Sequence, residues 1–221
     1  MRRIIIALFL SAGLSATALT QLESTLQRKG YKDVTEAVPG TYVELMYARA
    51  DNFTGRVLYD SLSHAYLHPD AARALAQAAK ELQRQRPDLR FLIKDAARPV
   101  SVQRHMFRTV RGTPKARYVA NPANGGGTHN FGIAVDITLC DTLGRELPMG
   151  TPVDHLGPEA NIDREQELLR RGIITKEELA NRRLLRRVML SAGFKTIRKE
   201  WWHFELLRRA EAVSYTHLTL P

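Results

Sequence analysis

His129-Asn-Phe-Gly132-Ile-Ala-Val-Asp136-Ile-Thr-Leu139 begins as a loop and ends as a strand. Strand alternation puts Ile133, Val135, Ile137 and Leu139 on one apolar face and Ala134, Asp136 and Thr138 on the other. Asp136 is therefore expected to project from a half-buried strand beside a small residue that leaves room. Gly132 permits a sharp bend, so His129 can swing toward the same side. An unpaired carboxylate in that position is costly, and a metal ion is one way to compensate it. The alternative is an Arg partner for Asp136, with His129 an ordinary loop residue.

Upstream, residues 120–130 form a loop rich in Gly, Asn and Pro, with Gly125-Gly126-Gly127 in succession. Arg90 to Lys94 (RFLIK) reads as a buried strand running into Asp95-Ala-Ala-Arg98-Pro99, and Val43 to Tyr47 as a short strand. Asp70 to Arg84 reads as a helix capped by Asp70, with Leu75, Ala78, Ala79 and Leu82 on one face. Ser101 to Val110 is expected to be helical. Thr175-Lys-Glu-Glu178 has the capping-box pattern, and Leu185, Val188, Met189 and Ala192 continue the apolar face of the helix it opens, which Gly193 ends. Short strands are expected at 194–197 and 202–206. Helices and strands do not alternate regularly, which predicts an α+β fold, one domain with a central antiparallel sheet flanked by helices.

The chain has 221 residues, 44% hydrophobic and 25% charged, a globular composition with enough length for a real core. The net charge of +10 admits a nucleic-acid or anionic-surface partner. The cations are scattered through apolar periodic segments, however, and no nucleic-acid-binding motif accompanies them, so a solvated basic face and no nucleic acid are expected. Arg182-Arg183 and Arg186-Arg187 are expected on the outside of a helix. The single cysteine, Cys140, excludes an intrachain disulfide and any zinc site built on two or four cysteines.

Both ends set themselves apart. Met1-Arg-Arg3, the apolar run Ile4 to Leu10 and small residues through Ala16-Thr-Ala18 have the pattern of a secretory signal peptide over 1–18. The apolar run is short for a membrane span, which needs about 20 residues. An exported protein, periplasmic or extracellular and with no stable membrane insertion after cleavage, is therefore expected; losing Arg2 and Arg3 lowers the formal charge from +10 to +8. Residues 213–221 read as a non-native tail, which leaves 21–212 as the functional domain.

The second chemical segment is Glu200-Trp-Trp-His203-Phe-Glu205. It sets one His and two carboxylates among three aromatics, surroundings that raise a carboxyl pKa and suit general-base work. Taken alone, His203 reads as a satisfied core residue of an aromatic strand. Together with the first segment it supplies two His and one Asp, plus a Glu three residues before the second His. That set is what hydrolytic zinc requires: three protein ligands, one open position and a nearby base. Strict alternation puts Glu200 and His203 on opposite faces, so Glu200 is expected in a turn or twist before the strand proper. Arg98, at a strand end and held by Pro99, suits oxyanion stabilisation, although taken alone it reads as a surface or ion-pairing residue.

The pattern His129-x-x-Gly132-x-Ala134-x-Asp136 followed by Glu200-Trp-Trp-His203 resembles the zinc D-alanyl-D-alanine dipeptidases of the vancomycin-resistance type. Tyr47-Ala-Arg-Ala-Asp51-Asn-Phe-Thr-Gly55, Ala97-Arg98-Pro99 and Pro148-Met-Gly150 leading to Asp154 fit the same family, so the resemblance runs from about Val43 to Glu205. The Trp-Trp pair points to the dipeptidase branch rather than to the related D,D-carboxypeptidases, which usually have Pro after the Glu. The resemblance implies a hedgehog/D,D-peptidase-like fold and one Zn2+ per chain on His129, Asp136 and His203. It also implies Glu200 as catalytic base and later acid, Arg98 as transition-state stabiliser, and Asp154 with Tyr47 holding the ammonium group of D-Ala-D-Ala.

Two departures stand out. The family usually has Ser where this chain has Gly127, so Thr128 or the loop's backbone N–H groups are candidates to hold the substrate carboxylate. The signal peptide suggests recycling of wall-derived dipeptide rather than resistance. The competing readings are a D,D- or L,D-carboxypeptidase trimming wall peptides, and a non-catalytic zinc or wall-binding module. Discrimination rests on Asp154 for the first and on Glu200 with Arg98 for the second.

Overall fold

Residues 19–206 are described by the computed structural model; the expected signal peptide (1–18) and tail (213–221) lie outside the described residues. In chain order the elements are α1 (Gln21–Arg28), β1 (Lys32–Asp33), α2 (Val34–Ala37), β2 (Tyr42–Val43), β3 (Tyr66–Leu67), α3 (Pro69–Gln85), β4 (Leu89–Asp95), α4 (Val100–Val110), β5 (Ala134–Asp141), α5 (Glu165–Arg170), α6 (Lys176–Ser191), β6 (Lys195–Ile197) and β7 (Glu200–Glu205). The expected α+β class holds, as a single domain. β1 and β3 form a small ladder, and the main sheet runs β2-β4-β5-β7-β6.

The sheet is mixed rather than antiparallel throughout. β4, β5, β7 and β6 pair antiparallel, but the edge strand β2 lies parallel to β4. Nothing in two residues of edge strand signals its direction; the chain from β2 to β4 passes through α3, a crossover that delivers parallel strands. The strand expected over Val43 to Tyr47 stops at Val43, and Met46–Ala48 form a 3-10 turn that buries Tyr47 completely.

α3 and α6 pack on each other, with α3 against β4 and α6 against β5 and β7. Val135, Ile137 and Leu139 of β5 are buried, as expected. The opposite face is buried too: Ala134, Asp136 and Thr138 expose at most 2%. Asp136 thus sits in a strand covered on both sides, not half-buried. The helix at α3 is capped by His68, whose Nδ1 accepts from Asp70 N, so Asp70 lies within the first turn instead of capping it. Pro69 at the first helical position explains the shift, because it needs no N–H partner there. At α6 the Thr175–Glu178 capping box forms as expected.

Two irregularities place the functional residues. Pairing slips between Ile93 and Asp95, so Asp95 rather than Lys94 stands opposite Asp136. A bulge of this kind turns a side chain to the other face. In β7, Thr196 pairs with Phe204 but Ile197 with Glu200, leaving 201–203 without counterparts on β6. Strict alternation therefore fails between Glu200 and His203, and the two side chains come to the same side. On the other edge of β7, His203 pairs directly with Asp136.

The expectation for the basic helix is corrected at Arg182, which is fully buried. Its Nε donates to Met149 O at 2.6 Å, its Nη1 to Glu159 O at 3.1 Å, and its guanidinium lies 5.6 Å from the Trp201 ring centroid. Arg186 pairs with Glu165 at 2.6 Å, while Arg183 and Arg187 are exposed. Loop carbonyls satisfy the guanidinium and make its burial tolerable. Arg182 thereby anchors the loop that carries Asp154, with help from Asn181, whose Nδ2 donates to Pro148 O at 2.9 Å.

At the far end, Glu23 completes the α1 capping box and also accepts from Ser63 N, Ser63 Oγ and His64 N. Burial alone would raise its pKa, but the hydrogen bonds from His64, Ser63 and Thr20 outweigh burial and hold it down at about 2. A carboxyl with a lowered folded-state pKa stabilises the fold above its unfolded value and loses that contribution as pH falls. The stability of the native protein is therefore expected to drop as pH falls from about 4.5 toward about 2, and Glu23→Gln to flatten this part of the curve. Urea unfolding at pH 3 and pH 6 checks this; equal pH slopes for the two proteins would exclude the assignment.

Candidate active site

His129 lies in a 3-10 turn, Thr128–Phe131, that Gly132 closes with φ +65°. A Cβ at Gly132 would come 2.4 Å from the Tyr31 ring, so both conformation and space demand glycine. This turn is stitched to the end of β4. Arg98 N donates to His129 O at 3.0 Å, Asn130 Nδ2 to Arg98 O at 2.8 Å, and His129 Nδ1 lies 2.8 Å from Ala96 O. The last contact makes Nδ1 the protonated nitrogen and leaves the Nε2 lone pair facing inward.

Inward, three atoms converge. His129 Nε2 is 3.3 Å from Asp136 Oδ1 and 3.2 Å from His203 Nδ1, and His203 Nδ1 is 3.0 Å from Asp136 Oδ1. Tetrahedral zinc with bonds of about 2.0–2.1 Å needs ligand atoms about 3.3 Å apart, so the triangle fits such an ion. Among the described residues this is the group of His, Asp and Glu side chains that could hold a metal. Its electrostatics also favour a cation at the centre. Burial alone would raise the Asp136 pKa, but His129 and His203 outweigh it and hold the carboxyl far below its usual range. Burial disfavours a charged His203, yet Asp136 and Glu205 push its pKa up to about 10.

Glu200 lies 4.0 Å from His203 Nδ1. Burial is the main reason its carboxyl is pushed up to about 8; His203 opposes this, and Asp136 and Asp154 reinforce it. Arg98 is buried and bound by Asp95 Oδ2 at 2.8 Å through Nε and by Gln103 Oε1 at 2.8 Å through Nη1. Its Nη2 lies 3.5 Å from Asp136 Oδ2, and its Cζ 5.3 Å from the Tyr47 ring centroid. Arg98 is thus ion-paired but not a surface residue, and it lines the cavity.

Asp154 faces this cavity with φ 62°, a left-handed conformation uncommon outside glycine. Tyr47 donates its hydroxyl to Asp154 Oδ2. Burial chiefly, then Asp136, push the Asp154 carboxyl up to about 7, against the hydrogen bond from Tyr47. The cavity, about 320 Å³, is lined by Arg98, Thr128, His129, Asp136, Asp154, Glu200 and His203 together, and Tyr47 reaches it through Asp154. Thr128 donates its hydroxyl to Glu205 Oε2 at 3.0 Å.

All eight residues singled out in the sequence are thus brought together. Others carried weaker signals. Asp95 grips Arg98 and accepts from Tyr59 Oη at 2.6 Å; its signal was a carboxylate three residues before the Arg. Glu205 stands 3.6 Å from His203 Nε2, and its sequence signal was the alternation His203-x-Glu205. Gln103 had no signal beyond lying on an expected helix.

The sequence model of the family Peptidase_M15, described as D-ala-D-ala dipeptidase, matches residues 27–220. A D-alanyl-D-alanine dipeptidase of Escherichia coli (strain K12) is 34% identical over 183 residues, covering 83% of this chain and 86% of that protein. One from Streptomyces coelicolor is 30% identical over 201 residues, covering 82% and 94%. One from Enterococcus faecalis is 28% identical over 196 residues, covering 80% and 92%.

Proposed function

The chain belongs to the D-Ala-D-Ala dipeptidase family Peptidase_M15, and from that premise we propose that it hydrolyses D-alanyl-D-alanine to two D-alanines with one zinc ion on His129, Asp136 and His203. The observation that carries this reading is the convergence of three inward ligand atoms, 3.0–3.3 Å apart, with the Glu200 carboxyl beside them.

Zinc bound there supplies Lewis acidity, polarising oxygen and lowering the pKa of water to about 7. The protein's own groups do the rest. Glu200, 4.0 Å from His203 Nδ1, takes a proton from the attacking water and returns it to the nitrogen of the breaking C–N bond. Arg98, held rigid by Asp95 and Gln103, presents positive charge to the oxyanion of the tetrahedral intermediate. Asp154 receives the substrate's ammonium group, and the Tyr47 hydroxyl keeps its carboxylate aimed. A buried carboxylate at the amino end selects a dipeptide over a longer peptide, which has no charge to offer there. This favours the dipeptidase over the carboxypeptidase reading. With an exported location, the reaction would recover D-alanine from wall-derived dipeptide rather than confer vancomycin resistance.

The test is release of free D-alanine from D-Ala-D-Ala by zinc-loaded protein, with N-acetyl-D-Ala-D-Ala as the comparison. No turnover with zinc confirmed in place would remove the proposal. Truncating one partner of a buried charge pair costs about 2–5 kcal/mol. Asp154→Asn is therefore expected to raise KM for the dipeptide about a hundredfold and to erase the preference over the N-acetyl form; a variant that keeps this preference would assign amine recognition elsewhere.

A further inference from the structure

Asp51-Asn-Phe-Thr-Gly55 supplies no metal ligand and no proton-transferring group, yet its loop is closely fastened. Asn52 Oδ1 accepts from Thr54 N at 2.9 Å and from Thr54 Oγ1 at 2.6 Å. Asn52 Nδ2 donates to Arg49 O at 2.6 Å and to Arg56 O at 2.8 Å. One side-chain amide thus closes the loop on itself, which Asn can do because it both donates and accepts. Leu58 N and Tyr59 N then donate to Tyr47 O at 2.8 and 2.9 Å, so the returning chain is tied to the residue that bonds Asp154. Phe53, in the middle of this loop, meets the Tyr47 ring edge to face, with centroids 6.2 Å apart, and packs against the main core.

Phe53 borders two cavities. One is the catalytic cavity of about 320 Å³; the other, of about 400 Å³, is lined by Met46, Asp51, Lys115 and His155 among others. Phe53, Asp154 and Leu156 line both. Residues that border two cavities stand between them, and two of these three are apolar. Leu156 also packs against the main core, and Arg182 fastens its loop through Met149 O and Glu159 O. The outer cavity is larger than the catalytic one, so the catalytic cavity ends beside Asp154 because a wall is there and not because space runs out.

We infer that Phe53 and Leu156 are specificity-determining residues, which close the amine end of the catalytic cavity and limit the substrate to a peptide whose amino group stops at Asp154. The inference rests on the dipeptidase reading for the orientation of that substrate. A residue added at the amino end advances the chain by about 3.5 Å, into this wall. Asp154 borders the outer cavity as well and Asp51 lines it, so a displaced ammonium would still find carboxylates there. The apolar wall therefore adds a steric limit on length to the selection by charge.

The experiment compares zinc-loaded wild type with Phe53→Ala and Leu156→Ala on D-Ala-D-Ala and on Gly-D-Ala-D-Ala. In both peptides water adds across the last peptide bond and free D-alanine leaves. The dipeptide-over-tripeptide ratio of kcat/KM is expected to fall about tenfold or more through a gain on the tripeptide, since a single methylene in a pocket already discriminates roughly 10- to 200-fold. Phe53→Leu is expected to lie between wild type and Phe53→Ala. An unchanged ratio in a folded variant, or a fall that comes only from loss on the dipeptide, overturns the assignment. So does a wild type that cleaves both peptides equally well. A crystal structure of Phe53→Ala reads the wall without turnover. One merged cavity beside Asp154 supports the wall even if the dipeptide proves not to be the substrate, and two separate cavities overturn it.

Discussion

Replacing Glu200 with Gln is expected to lower kcat on D-alanyl-D-alanine by about three orders of magnitude while zinc stays bound at one per chain. Positioned proton transfer contributes roughly 10²–10⁴-fold, and the amide keeps the size and polarity of the acid while losing its basicity. Glu200 is not one of the three converging atoms, so its loss leaves the ligand triangle intact. KM is expected to change little, because a group that acts on the proton in the transition state adds little to ground-state binding. Steady-state kinetics with metal analysis on the same preparation checks the pair of results. A Glu200→Gln protein retaining a tenth or more of wild-type kcat would remove Glu200 from the chemistry.

Replacing His203 with Ala is expected to abolish both zinc retention and turnover. His203 Nδ1 stands 3.0 Å from Asp136 Oδ1 and 3.2 Å from His129 Nε2, so its removal opens one corner of the triangle. It also removes one of the two imidazoles that hold the buried Asp136 carboxyl down, leaving only His129. A ligand at a thousandfold excess over its Kd stabilises the folded state by about 4 kcal/mol. At roughly 2–4 °C per kcal/mol for a chain of this size, zinc is expected to raise the Tm of wild type by on the order of 10 °C and that of His203→Ala hardly at all. Thermal unfolding with and without zinc, alongside zinc content after desalting, decides the point. A variant that still binds one zinc ion and gains the same Tm shift would place the metal elsewhere.

The second result bears on the loop as much as on the strand. His129 reaches the triangle only because its turn is pinned to Ala96 and Arg98. Metal binding is therefore expected to be coupled to the order of the glycine-rich segment, and the Tm shift would report that coupling as well as the ion's own contacts.

Much of the site is legible in the amino-acid sequence because it lies in short segments whose chemistry is local. His129-x-x-Gly132-x-Ala134-x-Asp136 encodes a turn, a left-handed glycine and an alternating strand, and each of these forms. Thr175 and Glu178 announce their helix because a capping box closes within one turn. Residue order alone thus singles out which groups could meet a cation and one buried apolar face of each periodic element, though not that the opposite face of β5 is covered as well.

What residue order leaves open depends on the partner strand. The slip after Ile93 brings Asp95 level with Asp136, and the mismatch between β6 and β7 turns Glu200 to the side of His203; both arise from pairing, which no single segment contains. Arg182 reads as a solvated helix cation because its acceptors, Met149 O and Glu159 O, come from a loop more than 20 residues away. Tyr47 and Asp154 meet across 107 residues. Local sequence sets periodicity and turn chemistry, whereas register and buried polar partners are chosen by whatever the folded chain packs against them, and here those choices assemble Glu200, the anchored Arg98 and the Tyr47–Asp154 pair around one centre.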